Sequence, residues 1–329
     1  MVLLSDFRYA LRVLRLNPLF TAIAVASLAL GVGANTAIFS LTDAILLRPL
    51  PVPNPQELVV LAGNPSDPHT GASYPDYLYL RDHSRSYAGL IALWSGGVTR
   101  FTPAAASGAA RLISLALVSG NYFEVLGVAP AIGRVFHTSD NEKAGAHPFA
   151  VLSYAFWKNS FGGDAGVIGR DIQLNGERFQ VVGVASEGFS GTNTGVSPDV
   201  FAPLVMERTF YRNDVEALTT RDAGWITIMG RLKARVSRSN AEAELNVLWR
   251  QILANDPAEQ TKRISQENYD LVNTRTLLHG SAGDSGLRRH VSRPLTILML
   301  AAGFVLLILA RMSRACSWLA EWLGNRRLA

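Results

Sequence analysis

The sequence predicts an α+β protein whose globular part lies between two membrane helices, and three observations carry that prediction. Residues 19–42 and 294–310 hold no charged side chain, although 17% of the whole chain is charged. Between them, short β-branched runs alternate with segments of helical period and with turn residues, the pattern of a mixed domain rather than of a short-period repeat. One cysteine, Cys316, among 329 residues excludes an internal disulfide framework and any cysteine-built metal site, so burial must hold the domain together. A hydrophobic content of 48% and a mean hydropathy of +0.16 exclude a disordered chain. The net charge of +5 does not point to nucleic acid, because the basic residues cluster mainly beside the apolar stretches, where membrane topology explains them.

Residues 1–18 form the first element. Leu3, Leu4, Phe7, Leu11 and Leu14 recur on one helical face and Arg8, Arg12 and Arg15 on another, which describes an amphipathic helix lying at a membrane surface. Asn17-Pro18 breaks it, and the segment 19–47 follows as the first membrane helix. Its uncharged run from Leu19 to Thr42 would extend roughly 36 Å, enough for a hydrocarbon core of about 30 Å with some tilt. The arginines ahead of it, against Arg48 alone soon after it, place the amino terminus in the cytoplasm and the following domain outside. Within the helix Ala26, Ala29, Gly33, Ala37 and Ser40 make a stripe of small residues that would let another membrane helix approach closely. A secretory signal peptide, cleaved about Val32-Gly33-Ala34, is the competing reading, with an unusually long apolar core.

The segment 48–293 reads as the extracytoplasmic domain. Pro49, Pro51, Pro53 and Pro55 end the helix in a stiff linker. Strands are expected at Glu57–Ala62, Leu90–Phe101, Leu112–Val118, Trp225–Leu232 and Tyr269–Leu277, with helices from Tyr74 to about Ser84 and from Ser239 to Leu253. These pieces make two strand–helix–strand units. Between them, at about 119–221, lies an expected inserted β-rich subdomain. In it Ala150-Val151-Leu152 leads into a helix at Tyr154–Phe161, Asp171–Leu174 and Phe179–Val184 pair about the turn Asn175-Gly176, and Asp199–Leu204 is a further strand. The first subdomain is thereby discontinuous, about 50–118 plus 222–285.

Several ordered motifs bear a resemblance. Leu30-Gly31-Val32-Gly33-Ala34-Asn35-Thr36-Ala37-Ile38-Phe39-Ser40 and Leu46-Leu47-Arg48-Pro49-Leu50-Pro51 come first. Val118-Ser119-Gly120-Asn121-Tyr122-Phe123-Glu124-Val125-Leu126-Gly127-Val128 and Gly133-Arg134-Val135-Phe136 follow. Then come Val151-Leu152-Ser153-Tyr154-Ala155-Phe156-Trp157, Phe161-Gly162-Gly163-Asp164, Leu174-Asn175-Gly176 and Val181-Val182-Gly183-Val184. Together these resemble MacB-like ABC transporter permeases of the acidobacterial type, whose periplasmic core domain they track over roughly residues 20–250. Read as residues alone, the glycines suit turns and helix ends, while Tyr122, Phe123, Phe136, Trp157 and Phe161 suit the core of the inserted subdomain.

The resemblance implies a non-catalytic part of a transport machine in the bacterial inner membrane. Its implied partners are an ABC ATPase subunit and another permease chain, with a periplasmic adaptor and an outer-membrane channel in some systems. No phosphate loop occurs in the sequence, so nucleotide hydrolysis would belong to the ATPase partner. Residues 294–310 resemble the family's second membrane helix, but 17 residues span only about 25 Å, and Arg311 and Arg314 follow at once. The tail 311–329, expected in the cytoplasm, departs from the family pattern, as a frameshift or truncation near Leu309 would explain. Without the remaining membrane helices, the alternative reading is a tethered or secreted periplasmic binding module.

Candidate chemistry is sparse. Gly283-Asp284-Ser285-Gly286 resembles a serine nucleophile segment but Leu287 replaces the usual following glycine, and the six histidines lack metal-binding spacing. His137, Asp140 and His147 approach a ligand cluster most nearly, while Glu242 and Glu244 read as a solvated helix face. No catalytic, cofactor-binding or metal-binding residue is assigned, and no cofactor is expected.

Overall fold

The computed structural model describes residues 49–62, 71–103, 110–193, 197–210, 216–221, 224–255 and 276–279, with scattered helical positions between 12 and 40 and between 297 and 304. The chain divides into two compact units, one made of Pro49–Gly286 and the other of Met1–Arg48 with Leu287–Ala329. Most of the expected membrane segments 19–47 and 294–310, and the tail 311–329, lie outside the described residues. Among those described, no helix is long and apolar enough to cross a membrane. The described positions of the small-residue stripe are helical, and Ala26, Ala29, Gly33, Ala37 and Ser40 are all exposed.

The unit Pro49–Gly286 is built on strands β1 (Leu58–Ala62), β2 (Tyr87–Pro103), β3 (Arg111–Val118), β4 (Pro130–Gly133), β5 (Phe149–Leu152), β6 (Asp171–Leu174), β7 (Glu177–Ala185), β8 (Val200–Pro203), β9 (Thr227–Leu232) and β10 (Thr276–His279). Its helices are α1 (Tyr74–His83), α2 (Tyr122–Leu126), α3 (Tyr154–Phe161), α4 (Glu207–Phe210) and α5 (Arg238–Ala254). Local chemistry sets most of these boundaries. Ser73, Ser153 and Ser237 cap α1, α3 and α5 by accepting from the backbone N–H three residues on, at 3.2, 3.3 and 3.2 Å. Asn175 and Gly176 both take positive φ, 51° and 89°, the backbone of a tight hairpin turn, and β6 and β7 pair on either side of it.

All ten strands join one sheet, in the order β10-β1-β9-β2-β3-β8-β5-β7-β4, with β6 bridging β7 and β2. That bridge closes a ring. Strand β2 pairs with β3, β3 with β8, β8 with β5, β5 with β7, β7 with β6, and β6 returns to β2 at Phe101–Pro103. Closure leaves those six strands with few unpaired edges. The segment expected as an inserted subdomain supplies β4–β8, and these join the flanking strands edge to edge instead of forming a sheet of their own. Strand β2 makes the connection possible. Its first half, Tyr87–Leu93, pairs with β9, and its second half, from Leu93 to Phe101, pairs with β3 across a bulge at Ser95/Gly97.

Two apolar cores lie on the two faces, and strand alternation sorts residues between them. Leu90 and Ala92 join Leu115, Leu117, Ile172, Leu174, Phe179 and Val181 in one core, to which α3 adds Phe156 and Trp157. Every strand of the ring contributes to this core, which continues past the ring to α1, β9 and α5 through Tyr77, Ile228 and Leu245. Ile91, Leu93, Ala116 and Val118 face the other way, where α2 covers them with Tyr122, Phe123 and Leu126. The aromatics expected to share one core are therefore split: Tyr122, Phe123 and Phe136 lie in one, Trp157 and Phe161 at the other. Burial on both faces explains the nearly continuous apolar runs of β2 and β3.

Of the expected strand Tyr269–Leu277, residues 269–275 lie outside the described residues, and β10 begins at Thr276. Helix α2 and strand β4 were not expected from the sequence. Five residues are too few to display helical periodicity, and Pro130-Ala131-Ile132-Gly133 carries only one β-branched side chain.

Candidate functional site

The motif after β3 is a structural clamp. Ser119 pairs with Ala92 of β2 twice: its backbone N–H donates to the Ala92 carbonyl at 2.8 Å, and its hydroxyl accepts from the Ala92 N–H at 3.1 Å. Asn121 donates through Nδ2 to the Leu90 carbonyl at 2.8 Å, while its Oδ1 accepts from the Ser119 hydroxyl at 2.8 Å and the Tyr77 hydroxyl at 3.3 Å. Burial pushes the Tyr77 phenol above its ordinary range, so it remains a donor. Gly120 lies so close to the backbone of His137 and Thr138 that a Cβ would overlap the His137 carbonyl oxygen. Together these contacts fix where α2 starts and aim Tyr122 and Phe123 into the core. There the Phe123 ring lies 5.8 Å from Phe136 and 5.4 Å from Phe201.

The far end of α2 is held by Arg231, on β9. Its Nε donates to the Val125 carbonyl at 2.7 Å and Nη2 to the Leu126 carbonyl at 3.3 Å, the uncapped carbonyls expected at a helix end. The same guanidinium reaches the linker that leads into β1, with Nη1 donating to the Asn54 carbonyl at 3.1 Å and to Glu57 Oε2 at 3.0 Å. Its side chain is 14% exposed. A cleft of about 330 Å³ opens here, lined by Pro53, Glu57, Glu124 and Gly127 among others. One side chain thus ties the start of the domain to β9 and to the helix packed across the sheet. The last described strand ends beside it in the sheet: β10 pairs antiparallel with β1, Val59 opposite His279 and Ala62 opposite Thr276. The two ends of the domain accordingly leave through adjacent strands.

The weaker catalytic candidates resolve into structural roles. Asp140 accepts from Arg134 Nη1 at 2.5 Å and Nη2 at 3.2 Å and from the His137 backbone N–H at 3.0 Å. Burial alone would raise its carboxyl, but these donors hold it below the ordinary carboxylate range. Among the described residues no three His, Cys, Asp or Glu side chains gather as a metal site would require. Glu244 is more than part of a solvated face. It accepts from the N–H groups of Arg85 and Ser86, both at 2.8 Å, fastening α5 to the start of β2. Burial opposes its charge, but hydrogen bonds from Ser86 and Arg85 prevail and lower its carboxyl. Glu242 Oε2 accepts from the Leu277 N–H at 3.4 Å. Gly283-Asp284-Ser285-Gly286 lies outside the described residues. Sequence reasoning missed Arg231, although a lone arginine interrupting the run Thr227–Leu232 signals a charge that needs partners.

Of the small-residue stripe, Gly33 has nothing within 4 Å of where a Cβ would stand. Comparison with known proteins bears on the rest of the chain. No curated protein matches it. Among solved structures it is similar to a domain from a Porphyromonas gingivalis protein named as a permease, at 13% identity and a TM-score of 0.49, covering 73% of this chain and 98% of that one. It is also similar to the extracellular domain of the noncanonic ABC-type transporter YknZ from Gram-positive bacteria, at 13% identity and a TM-score of 0.44, covering 67% and 99%. The periplasmic region of MacB from Actinobacillus actinomycetemcomitans gives 15% identity and a TM-score of 0.45, covering 70% and 99%. The family model described as the MacB-like periplasmic core domain matches residues 21–248, more than two thirds of the chain and nearly all the strands described above. The chain belongs to the MacB-like periplasmic core domain family.

Proposed function

We propose that this chain is a permease subunit of an ABC-type transport or efflux system in the bacterial inner membrane. On this reading its periplasmic domain relays conformational change between membrane helices and partner subunits. The observation that supports it is the adjacency of β1 and β10, the strands that lead to the expected membrane segments. A displacement of either segment would act on neighbouring strands, and Arg231 would pass it to α2 and β9 without bending the sheet. The work would be mechanical, with nucleotide hydrolysis supplied by an ATPase partner. The exposed stripe Ala26, Ala29, Gly33, Ala37 and Ser40 would then serve close packing against other membrane helices.

Topology tests this reading with the protein's own single thiol. Cys316 stands after the second expected span, and a membrane-impermeant maleimide should leave it unlabelled in spheroplasts and label it after lysis. External protease should cleave between residues 50 and 290 in the same spheroplasts. Labelling of Cys316 without lysis would mean that residues 294–310 do not insert. A soluble product beginning near Asn35 would replace the permease reading with that of a secreted binding module. Co-purification of a phosphate-loop ATPase with the full chain is the corresponding check on the partner.

A further inference from the structure

Beside the ring, between α4 and the loop before β5, lies a cleft that the transport reading does not use. It has a volume of about 290 Å³, and Val205, Met206, Glu207 and Leu218 are among its walls. Ala144, Val205 and Leu218 also line an adjoining cleft of about 430 Å³ that reaches Tyr74 and Tyr77. Its unusual member is Glu207. This residue is 3% exposed, and its Oε2 has no hydrogen-bond partner among the described residues. A buried carboxylate oxygen without a donor is costly, and proteins retain few of them. Burial accordingly raises its carboxyl above the ordinary carboxylate range, against the weaker pull of its own N–H and of Arg208.

Arg208 favours its charge only in part. The cation of the same wall, Arg208, pairs with Glu216 at 3.1 Å. Arg81, in the adjoining cleft, pairs with Asp82 at 2.7 Å. Tyr74 is pushed up to about 12, first by burial, and so stays a neutral phenol. It already accepts from Asn141 Nδ2 at 3.1 Å. Val205, Met206 and Leu218 give the smaller cleft an apolar side, and Thr209, Glu216 and Thr219 give it a polar one. What is missing at Oε2 is a donor, and the donor that gains most from a desolvated carboxylate is a cation.

We infer that this cleft binds a small organic cation, an ammonium group on an apolar body, with the ammonium donating to Glu207 and the body lying against Val205, Met206 and Leu218. A compact ammonium satisfies the carboxylate as a point charge, and an aromatic ring of modest size fits the volume. This site goes beyond the transport reading and does not depend on it.

The test is titration calorimetry on the full chain in neutral detergent, with benzylammonium as the probe and benzyl alcohol as its uncharged counterpart. Benzylammonium should bind saturably at one site, and benzyl alcohol should show only partitioning into detergent. Glu207→Gln should weaken the ammonium at least tenfold. Leu218→Trp, which leaves the carboxylate in place and fills the cleft, should abolish binding, and circular dichroism would verify that both variants keep the sheet. Equal binding of the two probes, no saturable binding of the ammonium, or unchanged affinity in folded Glu207→Gln would each overturn the inference.

Discussion

Replacing Arg231 with methionine keeps an unbranched apolar stem on β9 but removes all four of its hydrogen bonds. A charged donor to a part-buried carbonyl contributes about 1.5–3 kcal/mol, so the short Val125 bond is worth about 2 kcal/mol. The Leu126 bond is long and the Asn54 bond is open to solvent, and about 0.5 kcal/mol is a fair figure for each. Glu57 is 34% exposed, which limits its ion pair to about 0.5 kcal/mol. The expected loss is about 3–4 kcal/mol, because the helix-end carbonyls have no other donor on this face among the described residues. At about 2–4 °C per kcal/mol for a unit of this size, the unfolding midpoint should fall by about 10 °C. Thermal unfolding of the full chain in neutral detergent, followed by circular dichroism, reads this midpoint. Arg231→Lys should recover less than half, since one ammonium cannot serve the helix end and the linker together. A midpoint for Arg231→Met within about 2 °C of the parent, or a lysine variant equal to the parent, would refute the clamp.

Three further outcomes follow from the same contacts. Asn121→Ala should cost about 2 kcal/mol in denaturant unfolding, because it removes the short donor to the Leu90 carbonyl, leaving the Tyr77 hydroxyl at 3.4 Å, and takes the shared acceptor from the Ser119 and Tyr77 hydroxyls. Gly120→Ala should cost more than Gly176→Ala, since a Cβ at Gly120 meets backbone whereas at Gly176 it meets open space and only the positive φ of 89° resists it, at about 1 kcal/mol. Asp140→Asn should be destabilising at neutral pH. Asp140's folded value is depressed, so its stabilisation is present above the unfolded carboxylate range and is lost as pH falls through the lower folded value. The gap between parent and variant in midpoint denaturant should therefore close on acidification, and a gap independent of pH would refute the ion-pair account.

What could be read from the sequence was local. Asn175-Gly176 between two alternating runs and proline after the first apolar segment act within a few residues, and the observed hairpin follows the first of these. The family motifs were legible as well, and their glycines and aromatics are structural. The carboxylates were harder, because Glu244 and Asp140 look like surface charges until their donors, Ser86 and Arg134, are seen.

The rest was decided by contacts between residues far apart in the chain. Closure of the ring depends on β6 meeting both its hairpin partner and β2, some seventy residues earlier, and alternation along one strand says which side chains share a face but not which strand lies beside it. For the same reason Tyr122 and Trp157, alike in sequence as large apolar residues, end in different cores. Arg231 gains its meaning only when β9 brings it beneath a helix end more than a hundred residues away. The sequence by itself determined most of the longer elements, through backbone preference and period. Only the tertiary structure decided their neighbours, because pairing and burial are settled by the chain as a whole.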